Sequence, residues 1–147
     1  MIASWKIGGI FKADAQQVAK EICSIGDECS PQDIVAFARD ERSELHKCFE
    51  WDDSIAGERY REIQAQKVLR TLVITREAEE SKEPVQCRLF VNTGDNSGNY
   101  KPLPVVVRKQ DEYERLLEMA KRELQAFKKK YAVLAELEGV FLEIDNL

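Results

Sequence analysis

The chain of 147 residues carries a net charge of −5, and its 44% apolar and 33% charged residues suffice for one domain with an ordinary hydrophobic core. No run approaches the roughly 18 apolar residues that a transmembrane helix needs, so we exclude a membrane span and expect no membrane partner. The start lacks the pattern of a signal peptide and the four cysteines are irregularly spaced, so we expect a cytoplasmic protein with reduced thiols.

The N-terminal part of the chain predicts a docked segment followed by two helices. Residues 1–12 are rich in large apolar side chains and are expected to pack on the core as a short strand or an irregular clasp. Asp14 is a candidate N-cap for an amphipathic helix over residues 15–25. Ser30 is a candidate N-cap for a second helix over residues 31–39, which begins with proline, a favoured first helical residue.

Residues 43–55 combine the only histidine with a dense group of aromatic and acidic residues. We expect Phe49 and Trp51 to anchor the core between the helices, because truncation of buried aromatic residues is among the costliest changes in a core. Asp52 or Asp53 is a candidate N-cap for the third helix, where the helix dipole favours negative charge. The predicted structural hub consists of His46, Phe49, Trp51, Asp52 and Asp53.

A third helix is predicted from residue 54 to about residue 67, with apolar residues on two opposite sides. Either this helix is buried on both sides, or it ends near residues 67–70 and a strand follows over residues 71–75. We favour the second alternative because β-branched residues are concentrated in that stretch. The two apolar sides are Ala56, Tyr60 and Ile63, and Ala65, Val68, Leu69 and Leu72.

Residues 71–107 predict a small antiparallel sheet of three strands. The acidic segment 77–84 is expected to be a solvated loop, and the composition of residues 93–99 is typical of a turn. Pro102 and Pro104 cannot donate ladder hydrogen bonds, which places the last strand at an edge or outside the sheet. The predicted strands are 71–75, 85–92 and 100–107.

Residues 108–147 predict one long helix with a bend near Gly139. Its apolar residues alternate at spacings of four and three over three heptads, which is the pattern of a coiled-coil seam. The pattern fits both a helix packed on its own sheet and a helix paired with a second chain, and we expect a homodimer through this helix. The predicted seam is Tyr113, Leu117, Ala120, Leu124, Phe127, Tyr131 and Leu134.

These elements together predict an α+β fold in a single domain over residues 1–147. A bundle of about three helices occupies residues 1–70, the small antiparallel sheet follows over residues 71–107, and the long helix closes the chain over residues 108–147.

The third helix also carries basic residues, so nucleic-acid binding is a candidate function. Three short helices followed by a sheet are compatible with an arrangement like a helix-turn-helix, in which one helix contacts DNA. Glu58 and Glu62 interleave with the basic side chains and the chain is acidic overall, which weakens this interpretation because DNA affinity depends on neutralising phosphates. The candidate nucleic-acid contacts are Arg59, Arg61, Lys67 and Arg70.

No residue pattern predicts an active site, a metal site or a cofactor. His46 lies near Glu50, Asp52 and Asp53 in the sequence, a combination that suits acid–base chemistry, but a locally hydrogen-bonded histidine beside helix-capping aspartates explains the same residues. The cysteine and histidine spacing differs from that of zinc sites, and no glycine-rich phosphate loop is present. We therefore expect no enzyme activity, no catalytic residues, no metal and no cofactor.

Several segments resemble an uncharacterised family of short proteins found in phage and prophage genomes. They are S-P-Q-D-I-V-A-F-A-R at residues 30–39, S-E-L-H-K-C-F-E-W-D-D-S-I-A-G-E-R-Y-R-E-I-Q-A-Q-K-V-L at residues 43–69, and Y-K-P-L at residues 100–103, before a long charged helix. The resemblance implies a phage origin and no assigned activity. We expect a non-enzymatic accessory protein that binds a phage or host macromolecule as a dimer. The alternatives are a DNA-binding protein like a helix-turn-helix, and a virion structural or assembly component.

Overall fold

Helices and two small antiparallel sheets form the body of the protein, and a pair of helices follows at the C-terminal end. The computed structural model describes residues 1–55, 57–76 and 85–147, and its fold is α+β with a three-stranded antiparallel sheet, which confirms the predicted class. In chain order the elements are β1 (Ala3–Trp5), α1 (Ala15–Ile25), α2 (Pro31–Ala38), α3 (Glu58–Thr71), β2 (Leu72–Arg76), β3 (Val85–Arg88), β4 (Phe90–Val91), β5 (Lys101–Pro102), α4 (Leu103–Val106), α5 (Gln110–Tyr131) and α6 (Glu138–Asp145).

The first two helices begin where their capping residues predict. The Asp14 carboxylate accepts a 2.8 Å hydrogen bond from the amide of Gln17 at the start of α1. At the start of α2, the Ser30 hydroxyl accepts from the Asp33 amide and the Asp33 carboxylate accepts from the Ser30 amide, at 3.1 Å and 2.8 Å. These reciprocal bonds satisfy amides that have no partner within the helix. The predicted caps are therefore confirmed.

The three-stranded sheet contains two of the predicted strands, as β2 and β3, and its third strand is the N-terminal segment instead of residues 100–107. β2 lies in the centre, and β1, the N-terminal segment, pairs on one side of it while β3 pairs on the other. The predicted strand over residues 100–107 is wrong beyond residue 102: Tyr100 forms an isolated bridge with Cys29, Lys101 and Pro102 pair with β4 in a second sheet, and the chain then turns into α4. Pro102 and Pro104 lack the amide hydrogens that a longer ladder needs. The predicted loop over residues 77–84 lies outside the described residues.

Leu89 divides the predicted strand over residues 85–92 into β3 and β4. Its amide donates to the carbonyl of Leu72 at 3.1 Å, and its carbonyl accepts from the amide of Leu103 at 2.7 Å. Its side chain is fully buried. Leu89 thus connects the two sheets through the core rather than continuing one strand.

The helix α3 passes directly into β2, which confirms the favoured alternative for this region. The helix ends at Thr71 and the strand begins at Leu72. Its second apolar side, from Ala65 to Leu72, is buried, whereas Tyr60 and Ile63 on the opposite side are 49% and 59% exposed. Assigning that opposite side to the core is therefore wrong, since a helix at the edge of the body buries only one side. Ala56 lies outside the described residues.

The core lies between α1, α2, α3 and the sheets rather than around the predicted hub. Phe49 and Trp51 are only partly buried and pack against the edge of the core. The expectation that these two aromatic side chains are buried is therefore met only in part. The largest fully buried side chains include Ile22, Ile34, Leu45, Leu69, Leu72, Leu89 and Phe90.

The predicted long C-terminal helix is present as α5, but it does not continue to the end of the chain, which forms a second helix, α6. The helix α5 ends at Tyr131, and α6 folds back on it, burying Phe141 and Ile144. Lys128 Nζ lies 2.6 Å from a carboxylate oxygen of Asp145, which ties the two helices together. Gly139 lies at the start of α6, and the helix breaks just before it, over residues 132–137. Folding back removes from water two large side chains that a straight helix would expose. We call α5, residues 132–137 and α6 the C-terminal hairpin.

Charged residues attach the start of α5 to the body. Lys101 Nζ lies 3.0 Å from the carboxylate of Glu112, 3.5 Å from that of Glu28 and 3.6 Å from that of Asp95. Gly94, with φ of +69°, approaches Met119 so closely that a Cβ there would lie 2.8 Å from its Sδ. The direction of the C-terminal hairpin is thus set by an ion-pair cluster and a close glycine contact.

Candidate functional site

The structure gathers the predicted hub around the indole ring of Trp51. The imidazole of His46 stacks on this ring with 4.8 Å between centroids and a 6° angle between planes. The indole Nε1 donates to the His46 carbonyl at 2.9 Å, and Phe49 packs against Trp51 with 5.7 Å between ring centroids. The guanidinium carbons of Arg39 and Arg61 lie 5.7 Å and 5.1 Å from the indole centroid. Through these contacts, the hub residues hold the segment between α2 and α3 in place.

Arg61 points into this hub and not toward solvent. Its side chain is 4% exposed, its Nε donates to the Glu50 carbonyl at 3.0 Å, and its guanidinium pairs with Asp53 and Glu58. A guanidinium enclosed and neutralised in this way offers no contact to a phosphate. Arg61 is therefore a structural residue, which corrects its prediction as a nucleic-acid contact.

The two aspartates of the hub act before α3 and do not cap it. Asp52 accepts from the amide and the hydroxyl of Ser54 in a turn, and Asp53 pairs with Arg61. The helix begins only at Glu58, after Gly57, without a capping side chain. The predicted capping role of Asp52 or Asp53 is therefore wrong, because the Asp52 carboxylate accepts the hydrogen bonds of the turn and the Asp53 carboxylate pairs with the buried Arg61.

His46, Cys29 and Cys48 lie in structural surroundings. His46 Nδ1 donates to the Ala38 carbonyl at 2.8 Å, so this nitrogen is used in a structural bond. Burial raises the pKa of both Cys29 and Cys48 to about 12, which leaves them protonated at neutral pH. Among the described residues, no three histidine, cysteine or acidic side chains are arranged to hold a metal ion.

The predicted seam is exposed along α5. Among the residues of α5 only Glu112 is buried, while Tyr113, Leu117, Leu124 and Phe127 are each 40% to 44% exposed. Leu134 lies beyond the end of the helix and is also exposed, and Ala120 and Tyr131 remain on α5. In the C-terminal half, α6 covers part of the seam, with 6.5 Å between the ring centroids of Phe127 and Phe141. The outward residues Val140 and Leu142 of α6 are themselves more than half exposed.

A second exposed surface lies on α3. Its residues recur at spacings that place them on the side opposite the buried one. Basic and apolar side chains alternate there, and Lys67 also lies 5.7 Å from the ring centroid of Phe11. Tyr60 and Ile63 supply the apolar side chains of this surface, and their exposure agrees with the basic residues around them. This surface, the α3 face, consists of Arg59, Tyr60, Ile63, Lys67 and Arg70.

A groove of about 490 Å³ continues from the α3 face to the side of α5. Arg70 belongs to both surfaces, and Arg88 of β3 lies in the groove beside it. Sequence reasoning missed Arg88, since its place on a predicted strand says nothing about proximity to α3. The register, with Arg88 opposite Val73 just after the end of α3, brings the two arginines together. The groove is lined by Arg70, Arg88, Val91, Asn92, Tyr100, Leu116, Met119, Ala120 and Glu123.

Within the described part of the chain, α2 and α3 are not joined as a helix-turn-helix unit. That motif joins its two helices by a turn of about three or four residues, whereas residues 39–57 separate α2 from α3. The closer pair, α1 and α2, exposes no basic residue on α2. The α3 face therefore stands alone as a basic surface.

Comparison with known proteins adds no relative. No known protein family, curated protein or solved structure matches this chain. None of the described helices combines the length and the apolar character that a bilayer crossing requires.

Proposed function

We propose that this is a non-enzymatic binding protein that acts as a homodimer, in which the C-terminal hairpins of two copies form the contact. One observation carries the proposal: α5 runs for 22 residues with regularly spaced large apolar side chains, yet buries none of them fully. A helix in a globular protein owes most of its stability to the packing of its apolar side. A second copy supplies that packing here. A phage or prophage origin is proposed from the sequence resemblance alone.

The exposed area supports self-association. The chain has 9961 Å² of accessible surface, whereas a compact monomer of this mass exposes about 7,700 Å². The difference is larger than the roughly 800 Å² per partner that a standard protein interface buries. The protein thus has ample surface for an interface without unfolding any part of its body.

The geometry of the hairpin favours a four-helix bundle over a two-stranded coiled coil. Because α6 already covers part of the seam near Phe127, a second α5 alone does not fit along its whole length. Two hairpins related by a two-fold axis bury Leu117, Leu124 and the outward side of α6 together. Charged residues such as Arg115 and Arg122, on the opposite side of α5, remain in water.

The test is light scattering on the wild type and on Leu124→Asp. We expect the wild type to have about twice the 16.9 kDa mass of one chain, and the variant to be a monomer because a carboxylate is costly in an apolar interface. Arg122→Asp is the matched control, since it also introduces an aspartate but does so two positions before Leu124, on the opposite side of α5. It should remain a dimer.

Three outcomes would contradict the proposal or redirect it. A monomeric wild type, or a control that dissociates as readily as Leu124→Asp, would overturn the hairpin interface. Particles of much higher mass would favour a structural component that assembles in many copies. If the variant fails to fold, the wild type alone decides, because the melting temperature of a dimer rises with protein concentration.

A further inference from the structure

The α3 face and the adjoining groove form one basic track, and we infer that this track binds single-stranded nucleic acid. The inference names the partner of the proposed binding protein and so rests on the proposed function. The four cations of the track lie outside the hairpin interface, and the groove shares Ala120 of α5 with the predicted seam. The track consists of Arg59, Lys67, Arg70 and Arg88.

The charge of the track points to an anionic ligand with several charges. Within the residues that the structure describes, its four cations form no ion pair, whereas Arg39, Arg42 and Arg61 each pair with a carboxylate. Arg59 and Arg70 are separated by about 16 Å along the helix axis, at 1.5 Å per residue. A chain of phosphates matches a row of cations of this length better than a single small anion does.

Aromatic and apolar side chains next to the four cations favour single-stranded nucleic acid over other anionic polymers. Tyr60 follows Arg59 and is 49% exposed, and Ile63 stands between the cations. Unpaired bases stack on exposed aromatic rings and contact apolar side chains, whereas bases in a duplex are already stacked. The groove next to Arg70 adds the half-buried side chains of Val91 and Met119 as further surface for a base.

The shape of the track favours a flexible strand over a duplex. A duplex reader needs a helix that enters the major groove with support from a second element, and α3 lacks a helix-turn-helix partner. The track also turns from α3 into a groove of about 490 Å³, which suits a nucleoside-sized group and is too small for a double helix. Glu62 and Glu123 flank the path, so we expect weak and strongly salt-dependent binding.

The first experiment measures fluorescence anisotropy of labelled oligo(dT) and of a labelled random duplex with the full-length protein. Four phosphate contacts on a single strand predict a logarithmic salt slope of about −3, so affinity should fall about 50-fold between 50 and 200 mM salt. The single strand should bind more tightly than the duplex. Absence of binding at 50 mM salt, or tighter binding of the duplex, would overturn the inference.

Variants separate the charge contribution from base stacking. Removing Arg70 and Arg88 together by alanine should lower affinity and reduce the salt slope by about half. Tyr60→Ala should weaken binding about fivefold or more and leave the slope unchanged, because stacking releases no counterions. The charge-matched control replaces Lys20 and Arg108, which are exposed outside the track, and should change neither quantity.

Two further results separate this inference from the proposed function. If Tyr60→Ala binds like the wild type, or polyglutamate competes as well as unlabelled oligo(dT), the track recognises charge alone and an acidic protein becomes the partner. If light scattering shows the dimer while oligo(dT) does not bind, the inference fails and the proposed dimer stands. Circular dichroism of every variant confirms that each folds.

Discussion

Replacement of Arg61 by alanine tests whether the cluster around Trp51 is a structural connection between α3 and the segment before it. The change removes the hydrogen bond to the Glu50 carbonyl and the contact with the indole ring. A hydrogen bond from a charged group contributes about 1.5 to 3 kcal/mol, and a partly buried cation–π contact about 1 kcal/mol. The carboxylates of Asp53 and Glu58 are 81% and 53% exposed, so their ion pairs add little. We expect a loss of about 2 to 4 kcal/mol.

The assay is urea unfolding followed by tryptophan fluorescence. With a slope of about 2 kcal/mol per molar urea, this loss lowers the midpoint by about 1 to 2 M. Arg59→Ala is the matched control, because it removes the same side chain from the same helix at an exposed position, and it should change stability by less than about 0.5 kcal/mol. Equal midpoints for the two variants would refute the structural role of Arg61. Arg61→Lys should recover only part of the loss, since lysine lacks the planar fork.

Two other predictions concern ionisable groups. Partial burial raises the pKa of Glu21, but hydrogen bonds from residues 43–45 outweigh this effect, so the pKa lies below the usual 4.5. The ionised Glu21 therefore stabilises the folded protein above pH 4.5, and this contribution is lost as the pH falls through the lowered pKa. Glu21→Gln should therefore cost about 1 to 2 kcal/mol at pH 7 and flatten the acid decline of the melting temperature. Because burial raises the pKa of Cys29 and Cys48 to about 12, a thiol reagent at pH 8 should label the half-buried Cys23 and Cys87 before these two. Equally fast labelling of Cys48 would show that its site opens.

Features that depend on neighbouring residues were predictable from the sequence. The caps at Asp14 and Ser30 work through hydrogen bonds three residues away, so their geometry depends on little else in the fold. The change from helix to strand after Thr71 likewise follows from the β-branched run that begins there. In each case the residues that carry the sequence pattern lie within one or two helical turns of the feature that they predict.

The candidate sites were less predictable because burial is decided between distant segments. Arg61 and Arg59 look alike in sequence, but only the packing of residues 50–53 against α3 turns one of them into an enclosed structural residue. Arg88 joins Arg70 only through the pairing of β3 with β2. No local pattern carries this information.

The sequence by itself therefore determined the α+β class, the starts of α1 and α2 and the heptad spacing of α5, since each depends on local hydrogen bonding or on periodicity. Only the tertiary structure decided which apolar residues are buried. It placed the N-terminal segment in the sheet, exposed Tyr60 and Ile63, and folded α6 back onto α5. The physical reason is that apolar burial has no direction of its own, so the same periodic pattern fits a core, an interface or a surface until the rest of the chain is in place.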